Sequence, residues 1–140
     1  MRYGWRLTCL VLLLLGVGCD SGFRTTGLRG EVSFDGRAVE GGTIDFIPVD
    51  GTAGPSVGGP IVNGRYEFAA QEGVHTDGIY MVRIIGLQGT GRFVGGHETK
   101  ENFIPEAYNT KSTLKISVSD LSDKNKVDFH LGETPTADSH

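Results

Sequence analysis

The chain is predicted to be all-β: an antiparallel β-sandwich of about seven strands that follows a cleaved leader. Three observations carry that prediction. Apolar and polar residues alternate over short runs, the period of a half-buried strand. Glycine makes up 22 of the 140 residues, about twice its usual share, and gathers between the apolar runs, where turns need it. Beyond residue 22 no stretch of helical length keeps its apolar residues at helical spacing.

The chain opens with two arginines and no acid over residues 1–6, an apolar run over 7–15, and Gly16-Val17-Gly18 before Cys19. That is the layout of an export signal. The run is too short for a stable membrane span, which takes roughly 20 residues. Leu15-Gly16-Val17-Gly18-Cys19 resembles the lipobox of bacterial lipoproteins in its last three positions, with Gly16 where that motif usually carries leucine. The resemblance implies cleavage after Gly18 and lipid attachment at Cys19; ordinary cleavage there, leaving a free thiol, is the alternative. Cys9 leaves with the leader, so one cysteine remains and no intrachain disulfide is expected. A diacylglyceryl group on Cys19 would supply the two chains that stable anchoring requires.

The expected organisation is a signal peptide over 1–18, a lipid anchor and tether over 19–26, a β-sandwich domain over 27–132 and a flexible tail over 133–140. Within the domain, residues 28–34 (LRGEVSF) place Leu28, Val32 and Phe34 on alternating positions, and Asp35-Gly36 is a tight-turn dipeptide. Residues 37–39 form a short extended piece. Residues 43–49 (TIDFIPV) alternate again, and Pro48, which cannot donate to a ladder, ends that strand or marks an edge. Residues 50–59 read as a glycine- and proline-rich surface loop. Residues 60–62, the Asn63-Gly64 turn and Arg65-Tyr66-Glu67-Phe68 make the clearest hairpin. Residues 78–85 form the longest apolar run of the domain, a central strand. Residues 86–99 hold five glycines and read as a long excursion, of the kind compact domains keep for function or leave disordered. Phe103, Ile104 and Tyr108 anchor the segment after it. Residues 114–118 and 127–131 alternate as the last strands, with a charged turn between them. The inward set is Val32, Phe34, Ile44, Phe46, Tyr66, Phe68, Tyr80, Val82, Ile84, Ile116, Val118, Phe129 and Leu131.

Residues 30–46 (GEVSFDGRAVEGGTIDF) resemble the opening of carboxypeptidase regulatory-like, or transthyretin-like, β-sandwich modules, in which a "G-x-V" strand leads to a "DG-x-x-V" turn and a "G-G-x-I-x-F" strand. Residues 63–68 (NGRYEF) and 78–82 (GIYMV) are similar to the next two signatures. With the leader and the segment 104–109 (IPEAYN), the whole chain resembles small lipoproteins of planctomycete-type bacteria. The resemblance implies a fold and leaves activity open, because function does not follow from fold.

The chemistry-bearing residues do not assemble into a reaction. His75, His97, His130 and His140 show no metal-ligand spacing and read as surface histidines. Asp35, Asp45, Asp50 and Asp77 read as turn-formers, with no calcium-loop pattern around them. Gly54-Pro55-Ser56-Val57-Gly58 has the letters Gly-x-Ser-x-Gly, but it falls in the loop over 50–59 with no helix after it, so Ser56 lacks the strand-to-helix frame of a nucleophile elbow, and the C-terminal Tyr-Arg-Gly-Ser of transthyretin-fold hydrolases is replaced by Thr136-Ala137-Asp138-Ser139-His140. Lysine first appears in the domain at Lys100, so the first-strand lysine of isopeptide-forming adhesins has no counterpart. Phe93 and Tyr108 are the aromatics least explained by the core and are the candidate binding residues.

With Arg2 and Arg6 gone, eleven basic residues face seventeen acidic ones, a net charge of −6 for the mature chain. No nucleic acid partner is expected of that balance. The expected protein is a non-enzymatic envelope lipoprotein with no cofactor, held to a lipid membrane through Cys19. It would act as a structural or protein-binding accessory to another envelope protein. Its working surface would be residues 86–108, with the loop 50–59 beside it, or an exposed sheet edge. The alternative is a carbohydrate- or peptide-binding module of the cell surface.

Overall fold

A computed structural model describes residues 24–118 and 125–132. The leader, Cys19, the first part of the tether, residues 119–124 and the tail lie outside the described residues, as do the expectations that fall on them. The described chain is all-β and sandwich-like, with a single 3-10 turn, η1 (Glu106–Tyr108).

Eleven strand segments are present among the described residues. A two-stranded ribbon pairs β1 (Thr25–Thr26) with β7 (Val74–His75). In the larger sheet the order is β10 (Lys115–Ser117), β8 (Ile79–Val94), β4 (Gly41–Val49), β5 (Val57–Val62), β6 (Arg65–Phe68), β2 (Leu28–Phe34) and β11 (Phe129–Leu131). Two strands branch from that path: β3 (Arg37–Ala38) on β2 and β9 (His97–Asn102) on β8. Thr25 and Thr26, which the sequence assigns to the tether, are thus already paired. β5 likewise takes up the end of the expected 50–59 loop.

The sheet doubles back at the Asn63-Gly64 turn, where β5 and β6 share only the pair Val62↔Arg65. Asn63 (φ 50°) and Gly64 (φ 74°) both adopt the left-handed conformation that a two-residue hairpin turn demands. The fold brings β4 and β8 over β2, β6 and β11. Phe46 of β4 marks the contact: its ring centroid lies 5.7 Å from Tyr66, 5.8 Å from Phe68 and 6.3 Å from Phe129. Such tilted and edge-on rings satisfy their quadrupoles while excluding water.

The alternating residues bury as expected, with two exceptions. Phe34 and Ile116 are only partly buried and pack on the margin of the core. Val39, Ile61, Val74 and Ile104 join the core from segments too short or too glycine-rich to show a period. Pro48 stays in β4, opposite Tyr80 of β8. It lies past Phe46↔Val57, the last β4–β5 pair, so its missing N–H costs no pairing with β5.

Antiparallel pairing dominates, but β11 runs parallel to β2, with Phe129↔Val32 and Leu131↔Phe34 in register. This departs from the wholly antiparallel expectation. Strand direction follows from how the chain returns to the sheet, and alternation within a strand carries no such information. Gly30 permits the return: a Cβ there would lie 1.8 Å from the Val127 carbonyl oxygen. Tyr66 fastens the same strand by donating its hydroxyl to that carbonyl at 2.7 Å.

Candidate functional site

The stretch 86–99 is ordered strand, contrary to the reading of it as a glycine-rich excursion. β8 continues past the end of β4 at Gly42↔Gly86 and pairs onward with β9 alone. The turn is Gly95-Gly96, both with positive φ (60° and 84°), which suits a tight two-residue hairpin. The result is a two-stranded arm that leaves the sandwich, and all of its residues from Leu87 to Asn102 are exposed except the half-buried Thr90 and Thr99.

The other glycines of the arm serve a bulge. Between Gly89↔Lys100 and Phe93↔Glu98 the register shifts, and Gly91 takes φ 73°. Side chains close the gap. The Thr90 hydroxyl donates to the Thr99 carbonyl at 3.1 Å, and the Thr99 hydroxyl donates to the Arg92 carbonyl at 3.2 Å. Glu98 accepts the Gly91 N–H at 2.8 Å. The arm is therefore held by its own polar groups, as a ribbon with little apolar burial requires.

At the base of the arm, the Asn102 side chain accepts the N–H groups of Gly86 (3.2 Å) and Ile104 (3.1 Å) and donates to the Ile104 carbonyl (3.1 Å). Buried Asn109 donates to the carbonyls of Ile104 (3.1 Å) and Pro105 (3.0 Å). A groove of about 1090 Å³ lies beside this base, lined among others by Phe34, Arg37, Glu40, Leu87, Lys100 and Phe103.

The two candidate binding residues occupy different surroundings. Phe93 stands on the outer half of the arm with 69% of its surface exposed, next to Val94 at 70%. Tyr108 is half-buried at the arm's base, edge-on to Phe34 with centroids 6.5 Å apart, and its hydroxyl accepts the Gly132 N–H at 3.1 Å. Nothing in the sequence alone distinguished an aromatic on an arm from one on a shelf. Val94, exposed beside Phe93, and Leu87, exposed at the arm's base, were hidden in the sequence by the surrounding glycines.

The chain matches no protein-family model, no curated protein and no solved structure. Chemistry must therefore be read from the residues themselves. Among the described residues no three His, Cys, Asp or Glu side chains gather as metal ligands would. His130 points outward and bonds the Ser33 hydroxyl at 2.9 Å. Among the described residues the surroundings shift two groups, Tyr66 and Asp128, from their ordinary ranges, both near the β2–β11 junction. Burial, and secondarily the Asp128 charge, pushes the Tyr66 phenol above its usual range. Asp128 is held below the usual carboxylate range chiefly by the Glu31 N–H, which donates to it at 2.8 Å, with Lys126 adding to the effect. The Asp128 shift comes from a bond that fastens β2, and the Tyr66 shift from the burial of its ring.

The outward face of β2 and β6 carries cross-strand pairs of opposite charge, Arg29↔Glu67 and Glu31↔Arg65, the latter ion-paired at 3.4 Å. Such a ladder answers its own charges and remains solvated. Of the large hydrophobics exposed among the described residues, Leu87, Phe93 and Val94 lie on the arm and Val62 lies at the end of β5.

Proposed function

We propose that the chain is a non-enzymatic lipoprotein of the bacterial envelope, anchored through Cys19, that serves as a structural or protein-binding accessory and contacts its partner with the β8–β9 arm. In this reading the domain is a transthyretin-like, carboxypeptidase regulatory-like sandwich carried on a cleaved signal peptide. The observation that carries it is the polarity of β8. The N-terminal entry lies at the start of this strand: Thr76 donates its N–H to the Arg24 carbonyl at 2.9 Å, two residues before Gly78. The arm's tip lies at the other end. Sixteen residues of strand span roughly 50 Å, so an N-terminal anchor would leave Phe93 and Val94 at the pole remote from it. An exposed arm that carries Phe93 and Val94 beside its turn suits contact with a protein surface better than enclosure of a small ligand.

The test has two arms. The mass of the mature N-terminal peptide, compared between wild type and Cys19→Ser, reads the anchor: a lipid adduct on Cys19 is expected, and an unmodified thiol would end the lipoprotein reading. A photo-crosslinking residue at position 93 in intact cells reads the partner. Adducts to one envelope protein, absent when the probe stands at Arg83 on the sandwich, are expected. A saturable signal on glycan or peptide arrays that is lost in Phe93→Ser would instead make the chain a ligand-binding module.

A further inference from the structure

Among the described residues no strand pairs with the outer edge of β9. β9 pairs with β8 on one side only, and its six residues compare with three each in β10 and β11, the strands that end the sheet order. Backbone groups alternate in direction along an antiparallel strand. Phe103 donates its N–H to Gly86 across the ladder, so Lys100 and Glu98, an odd number of residues away, turn their N–H and C=O groups outward. Charged side chains on an edge ordinarily repel a second strand. Here they are ordered as His97-Glu98-Thr99-Lys100-Glu101, which is complementary to itself when read in reverse.

We infer that a second copy of this chain pairs with β9 edge to edge, antiparallel, about a two-fold axis at Thr99. In that register Glu98 faces Lys100 of the other copy, Lys100 faces Glu98, and His97 faces Glu101. Both members of the Glu98–Lys100 pair carry outward backbone groups, so the ladder bonds form at those positions. Registers displaced by one residue in each copy set Lys100 against Lys100 or Glu98 against Glu98, and repulsion removes them. The contact is isologous and closes on itself, so it yields a dimer and no fibre. Lys100 has no ion-pair partner among the described residues. Its ammonium is thus available to the other copy. This inference deepens the accessory reading by naming one partner of the arm, and it rests on the arm being a contact element, whether or not Cys19 is lipidated.

Sedimentation equilibrium of the full chain in detergent micelles tests it. Wild type is expected to dimerise reversibly. Lys100→Glu places two carboxylates opposite each other at two symmetric positions and should weaken the dimer about tenfold or more. Glu98→Lys should do the same alone, and an equimolar mixture of the two variants should restore association as a heterodimer. Because Glu98 also holds the Gly91 N–H, a second measurement leaves the sequence intact. Carbodiimide treatment of mixed isotope-labelled and unlabelled wild type should join Lys100 of one copy to Glu98 of the other. A monomeric wild type, a Lys100→Glu variant that dimerises undiminished, or dimers lacking that cross-link would overturn the pairing. The two readings fail separately: loss of the dimer with adducts at position 93 intact removes only the pairing. A charge-dependent dimer without those adducts removes only the envelope partner.

Discussion

At the scale of single residues, the polar groups that matter are those that satisfy backbone bonds where strands end or change direction. Tyr66 is buried among Phe46, Phe68 and Phe129 yet donates its hydroxyl to Val127. Tyr66→Phe should cost about 1 kcal/mol in denaturant unfolding, the usual worth of such a bond. The variant should also change the alkaline limb of stability. The phenol's folded pKa lies above its unfolded value, which is about 10. Its contribution is therefore fully present below that pH and falls as pH rises towards the folded value. Stability measured across pH 9 to 11, roughly the range around that unfolded value, should decline less steeply in Tyr66→Phe than in wild type. Asn109→Ala should cost more than the hydroxyl, about 1–3 kcal/mol, because the Ile104 and Pro105 carbonyls beneath it lose a buried donor. An unchanged unfolding midpoint would show that water replaces the amide.

At the scale of elements, the arm separates from the sandwich in what holds it. The sandwich strands rest on buried apolar faces, whereas the arm rests on the ladder and on Thr90, Thr99 and Glu98. Thr99→Val removes the bond to Arg92 and keeps the side chain's shape. Amide exchange at residues 91–94 should rise severalfold while the global unfolding midpoint stays within about 0.5 kcal/mol of wild type, as expected of a local opening unit and an exposed site. A global loss of stability would mean that the arm and the sandwich unfold together. The sandwich strands were legible because alternation reports a face. The arm was not, since neither of its faces is buried and five glycines between 86 and 99 read as loop. Three of those glycines occupy the bulge at Gly91 and the turn at Gly95-Gly96, Gly86 and Gly89 are paired within the strand, and Thr90, Phe93 and Val94 are ordinary strand formers.

At the scale of the whole molecule, one core joins both halves of the folded sheet, and Phe46 is its common contact. Phe46→Ala should cost about 3–5 kcal/mol, and fluorescence and far-ultraviolet dichroism should still report one coincident transition. Two separated transitions would mean that the halves fold independently. By itself the sequence determined the all-β class, the facing of Ile44, Phe46, Tyr66, Phe68, Tyr80 and Val82 towards a core, and the turns at Asp35-Gly36 and Asn63-Gly64. Each of these depends on a period of two residues or on a local backbone conformation, and both are written along the chain. Tertiary structure alone decided the parallel return of β11 beside β2, the burial of Val39 and Val74, and the separation of Phe93 at the arm from Tyr108 at its base. Those depend on which distant segments meet, and no local period records that.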